Sequence, residues 1–255
     1  FAENNDMALA LNMTLPMLAY LARDEVNKRF KLVLWVTFIL CTISVIFTYS
    51  RGGFLTLVGV MLLLLLKSRY KSLSIIVISA ALIVGALYIP VKWFERVETI
   101  KSYEEDASAQ GRINSWKTAI NIAKDRPFIG GGFETFIDPV FNRYAPNPAI
   151  VKDVHSIYFE VLGEHGFVAF GLFILLILFT LLTTQRLKRI ARTNDELNWV
   201  ENYSNMIQVS LLAYMIGGIF LGRAYFDLFY HIVAMVVIMR VFVEKEIKEG
   251  NQVKI

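Results

Sequence analysis

The chain has 255 residues, of which 56% are hydrophobic and 13% aromatic, and its mean hydropathy is +0.51. Apolar runs as long as those it contains exclude a disordered tail, a soluble Rossmann-type enzyme and a secreted disulfide scaffold. A lone Cys41 excludes an intrachain disulfide and any Cys-based metal site, and a dispersed formal charge of +4 excludes a nucleic-acid binder.

The chain opens FAENND, with no basic start, apolar core and cleavage site, so no signal peptide is read. An N-terminally truncated part of a larger polytopic fold is expected. A bilayer core of roughly 30 Å takes about 20 apolar residues as helix. Residues 7–22, interrupted by Asn12 and Pro16, make a weak first span. Segments 32–50, 52–66, 72–91 and 167–184 follow, then the shorter 206–222 and 228–243. The fold class read from this pattern is an all-α integral membrane protein of about seven transmembrane helices.

Lys and Arg in the connections set the orientation. Loops 23–31, 67–71 and 185–204 and the tail hold 14 basic residues and fall on one side, taken as cytoplasmic. The opposite side receives the turns near 51 and 223–227 and the long connection 92–155, whose nine basic and nine acidic residues carry no inside bias. Three regions result: membrane helices in 1–91, an outer loop over 92–155, and membrane helices with a cytoplasmic tail in 156–255. Within the loop, Ile113, Trp116, Ile120 and Ala123 predict an amphipathic helix near 110–124, stopped by Asp125-Arg126-Pro127. FIGGGFETF (128–136) reads as a Gly-rich bend that packs the loop back on the membrane surface; it lacks the Lys-Ser/Thr ending of a phosphate-cradling loop. His155, Tyr158, Phe159 and Leu162 share one helical face, from which Glu160 diverges, and His165 falls in a break between Gly163 and Gly166.

Three residues carry a chemical hypothesis. Arg51 stands between two apolar spans, where a guanidinium must snorkel, pair or face water. Gly52-Gly53 behind it would let backbone approach a bulky ligand and opens a helix whose N–H groups attract anions. Arg112 lies one turn from Trp116, and His155 lies at the far end of the outer loop. The topology puts all three on the outer face, where two guanidiniums suit a diphosphate and a His can deprotonate a hydroxyl. Arg223 and Asp227, four apart, form either an ion pair or a further phosphate contact. The polar cluster from Glu3 to Asp6 either lines a cavity or caps the first span.

NND-x-A-L-A-L near the start, TYSRGG (48–53), GRINSW (111–116), PFIGGGF (127–133) and VHSIYFEVLGEHG (154–166) together resemble the O-antigen ligase and polymerase superfamily. The likeness is greatest to its exosortase-associated O-glycosylation ligases. It implies a bacterial inner-membrane glycosyltransferase whose periplasmic face takes a glycan from an undecaprenyl-pyrophosphate carrier. It also implies a lipid or protein glycan acceptor, surrounding membrane lipids, and neither a cofactor nor a metal. By resemblance Arg51 and Arg112 match pyrophosphate-binding arginines and His155 the general base. Arg223, Trp116 and Tyr158 stand as further substrate contacts. Ser156 departs from the Asn many relatives carry after the His. A transporter or flippase of lipid-linked sugars, a polymerase, and a non-catalytic membrane subunit remain as alternatives.

Overall fold

A computed structural model describes residues 4–67, 107–194 and 197–252. These residues form eight α-helices and no strand: α1 (Asn4–Asp24), α2 (Lys28–Phe47), α3 (Arg51–Leu66), α4 (Ala107–Asp125), α5 (Asp138–Tyr144), α6 (Ile157–Ala191), α7 (Asn198–Gly217) and α8 (Asp227–Gln252). The expected span 72–91 and the first part of the outer loop lie outside the described residues. The other expected spans are all helices, with shifted ends. Segment 32–50 stops at Phe47 because Tyr49 takes a left-handed φ of 55° and Ser50 caps the next helix. Segment 206–222 starts at Asn198 and stops at Gly217, leaving 218–226 as a loop.

Helix α7 is the centre of the bundle, packed by α1, α3, α6 and α8. Its Val209, Leu211 and Tyr214 are wholly buried. Helix α2 and helix α6 are long and apolar enough to cross a membrane, and α3 is a shorter apolar helix. Their outward faces stay apolar: Val33, Leu40, Leu172, Phe179 and Leu182 are all more than half exposed. In water such faces would be polar, so this surface suits lipid.

Close helix packing at α3 depends on glycine. A Cβ on Gly53 would lie 2.6 Å from the Ala8 Cβ, and one on Gly52 would lie 3.0 Å from the Phe220 Cβ. The glycine pair therefore admits the neighbouring helix and loop. The Asn12 amide crosses the same junction, donating to the Ala8 and Gly53 carbonyls at 2.9 and 3.0 Å.

The helix ends sort into two poles. At one, Lys67 and Lys188 both donate to Asn205, Arg192 pairs with Glu201, and Asn202 donates to Asp24. Three basic connections thus meet on one side, as their charge pattern predicts. The other pole collects Asp6, the start of α3, residues 127–166 and the 218–226 loop. Gly53→Val is expected to lower the unfolding midpoint of the detergent-purified protein, a cost on the order of 1–3 kcal/mol. Gly171→Ala, which meets open space, is the control and should leave the midpoint in place or raise it.

Candidate active site

The second pole is built on a hydrogen-bond brace from α4. Asn114, nearly buried, donates to the Asn147 and Ile150 carbonyls, both at 2.9 Å, and accepts from the Asn147 N–H at 3.0 Å. Ser115 Oγ donates to the Lys152 carbonyl at 2.8 Å, and Trp116 Nε1 to the Val154 carbonyl at 2.9 Å. An irregular chain has no ladder of its own, so these side chains satisfy backbone groups that would otherwise be lost on burial. The Trp116 ring also stacks on Phe159 at 5.0 Å. The GRINSW segment therefore fixes the strand-like approach to His155 residue by residue.

His155 comes next, and it is not helical. Its φ of 42° lies in the left-handed region, which costs a non-glycine residue about 1–3 kcal/mol and persists only where the surroundings enforce it. The shared helical face expected for His155 and Tyr158 is therefore corrected: α6 begins only at Ile157, whose N–H donates to the Gly218 carbonyl at 2.9 Å. The Gly222 backbone lies against the His155 backbone from the other side.

His155 lines a cavity of about 620 Å³ together with Asp6, Glu134, Asp153, Glu160, Glu164, Arg223, Tyr225 and the apolar Phe133, Phe136, Ile137 and Leu221. Its Nδ1 lies 3.9 Å from Asp153 Oδ2. Glu160 Oε2 accepts from the Ala224 N–H at 2.8 Å. Burial pushes the Glu160 carboxyl up to about 7, against the pull of that N–H and with help from the Glu164 and Asp153 charges. It belongs to the N-terminal part of α6, before the apolar stretch 167–184. Glu164 is nearly buried; its two oxygens accept from the Glu134 N–H at 2.8 Å and the Tyr225 hydroxyl at 2.5 Å. Burial, and then this carboxylate, push the Tyr225 phenol well above its usual range, so it stays a donor.

Arg223 does not pair with Asp227. Its guanidinium meets both carboxylate oxygens of buried Asp6, joining the 218–226 loop to the first helix. The Asp6 end of the N-terminal polar cluster is thereby part of the cavity wall. Arg51 and Arg112 are not among the residues that line this cavity. Arg51 precedes the glycine that abuts Phe220, and Arg112 follows Gly111, which abuts the Lys152 side chain. Trp116 is held in the brace, and the Tyr158 hydroxyl donates to the Met215 carbonyl at 2.9 Å.

Sequence reasoning missed Glu160, Glu164 and Tyr225 as site residues. Glu160 and Glu164 are four apart on one helical face, a readable signal once 157–165 is taken as helix. Tyr225 carries no such signal, because only the fold brings its loop to α6.

An apolar helical bundle with a hydrophilic, histidine-bearing cavity at one pole defines a membrane protein with a polar site at its surface. Residues 36–174, more than half of the chain, match the O-antigen ligase family, and the chain belongs to that family. Membership makes it a ligase-like membrane glycosyltransferase. No curated protein matches it.

The Glu160 carboxyl rises from 4.5 unfolded to about 7 folded, so folding favours its protonated form. That contribution is complete below about 4.5 and is lost as pH climbs through about 7. Glu160→Gln keeps an oxygen for the Ala224 N–H and never ionises. It should unfold at a higher temperature than the parent near pH 8 and show little advantage near pH 4.5, read from melting curves across that range.

Proposed function

We propose that this protein transfers a glycan from an undecaprenyl-pyrophosphate carrier to an acceptor hydroxyl at the periplasmic face of the bacterial inner membrane. The observation that carries the reading is His155, held in a strained conformation inside a hydrophilic cavity at the pole opposite the basic connections. About seven spans, with that pole outside, are part of the same reading. Within the family, the motif likeness favours the exosortase-associated O-glycosylation ligases, with a lipid or protein glycan as acceptor.

His155 takes the proton of the acceptor hydroxyl as its oxygen attacks the anomeric carbon. The bond from that carbon to the diphosphate oxygen breaks on the opposite side, and the carrier pyrophosphate leaves with the electron pair. The product is inverted at that carbon. Arg51 and Arg112 hold the diphosphate and stabilise its growing charge, for which a guanidinium fork is better suited than an ammonium.

Full-length protein in proteoliposomes, given lipid-linked glycan and a panel of acceptors, should release carrier pyrophosphate in step with new glycoside. Arg51→Ala, Arg112→Ala and His155→Ala should each cut transfer by about 100-fold or more while the protein still inserts and folds. Near-normal transfer by the His155→Ala protein would end the base assignment. Passage of intact lipid-linked glycan across the bilayer without cleavage would mean a transporter instead.

A further inference from the structure

The cavity lining has a marked charge imbalance. Four carboxylates, Asp6, Glu134, Asp153 and Glu164, and the partly protonated Glu160 face it against the guanidinium of Arg223. That guanidinium is engaged by both oxygens of Asp6. Glu164 is fixed by the Glu134 N–H and the Tyr225 hydroxyl, so it cannot swing away from an incoming anion. Phe133 and Tyr225, whose rings meet edge to face at 5.5 Å, add aromatic surface to the same wall. Carboxylates that accept from hydroxyls, beside aromatic faces that cover C–H surfaces, are the groups a sugar ring requires.

We propose that this cavity selects its acceptor by charge, taking a sugar free of phosphate and carboxylate groups and rejecting an anionic one. The inference rests on the transferase reading above and names the substrate class of that same site. A phosphate or carboxylate brought into the cavity would meet several like charges at short range in a partly desolvated space, with Arg223 already neutralised. An uncharged or amine-bearing sugar meets no such opposition. The division of labour is electrostatic: the diphosphate goes to Arg51 and Arg112, which are not among the lining residues, and the sugars occupy the anionic cavity. The same carboxylates favour the positive charge that develops at the anomeric carbon as the leaving group departs.

The test uses full-length protein in proteoliposomes with undecaprenyl-pyrophosphate-linked glycan and four probes: an alkyl glucoside, glucosaminide, glucuronide and glucoside 6-phosphate. Transfer is measured as kcat/KM, and binding of the same four probes is measured separately by equilibrium dialysis. The glucoside and glucosaminide should outperform the two anionic probes by about tenfold or more in both assays. Glu134→Gln and Asp153→Asn should each narrow that gap, and so should added salt, while a merely structural defect would lower all four probes together. Equal use of the charged and uncharged probes would overturn the proposal and leave the transferase reading standing. Discrimination in binding with no transfer to any probe would support the charge selection and overturn the transferase reading. Equal binding with no transfer would overturn both.

Discussion

The cavity-bearing pole depends on how the chain resolves a break in α6. At Gly166 the backbone leaves helical geometry with a φ of 75°, which disrupts the intrahelical bonds around it. Near a membrane, unpaired backbone groups are costly, so each must find a partner. The Gly-rich bend supplies them. The Gly131 and Gly132 N–H groups donate to the carbonyls of Gly163 and Glu164, and the Phe167 N–H donates to the Pro127 carbonyl, all at 2.8 Å. A side chain at Gly166 would come within 2.5 Å of that Pro127 carbonyl, and one at Gly130 equally close to the Glu164 backbone. Only glycines permit the exchange.

That exchange separates two kinds of helix within α6. Beyond the break lies an apolar stretch, some of whose side chains face outward, as Leu172 and Phe179 do. Before it, Glu160 and Glu164 turn toward the cavity and are held there by the Ala224 and Glu134 N–H groups. A continuous straight helix would send one face on a single line from site to lipid. The break lets carboxylates and a lipid-facing surface occupy successive turns of one element. Among the described residues, two of the three non-glycine residues with positive φ, Glu134 and His155, line the same cavity. Strain of this kind gathers where the surroundings are tied down on several sides, which the α4 brace and the Gly-rich bend accomplish from opposite directions.

The parts of this architecture that are periodic or compositional were legible in the sequence. Apolar runs announced helices, basic connections announced one pole, and Pro127 announced the end of α4, which stops at Asp125. The break beside His165 was legible from Gly163 and Gly166. The role of GRINSW was not, because Asn114, Ser115 and Trp116 bind carbonyls more than thirty residues away, and a carbonyl has no sequence signature. The Arg223–Asp6 pair was hidden for the same reason: the two residues lie 217 positions apart, while Asp227 offered a partner four positions away. Local spacing makes an ion pair possible, but the fold decides which carboxylate arrives first. The glycines after Arg51 show a related ambiguity, since a missing side chain admits a helix as readily as a ligand.

The family match ends at residue 174, inside α6, and so does not extend over the whole cavity. His155, the α4 brace, the Gly-rich bend and both α6 carboxylates fall within it. Asp6, Arg223 and Tyr225 fall outside it, on α1 and the loop before α8. These three close the wall: Asp6 with Arg223 joins the two ends of the chain, and Tyr225 fastens Glu164 from the far side. The matched segment therefore holds the groups assigned to chemistry, but the enclosure in which they act is made by the whole chain. Neutralising Arg223 with a carboxylate from the first helix leaves the interior anionic, whereas the same guanidinium without that partner would offer an anion a place to bind. A single long-range ion pair thus occupies the guanidinium that lines the cavity.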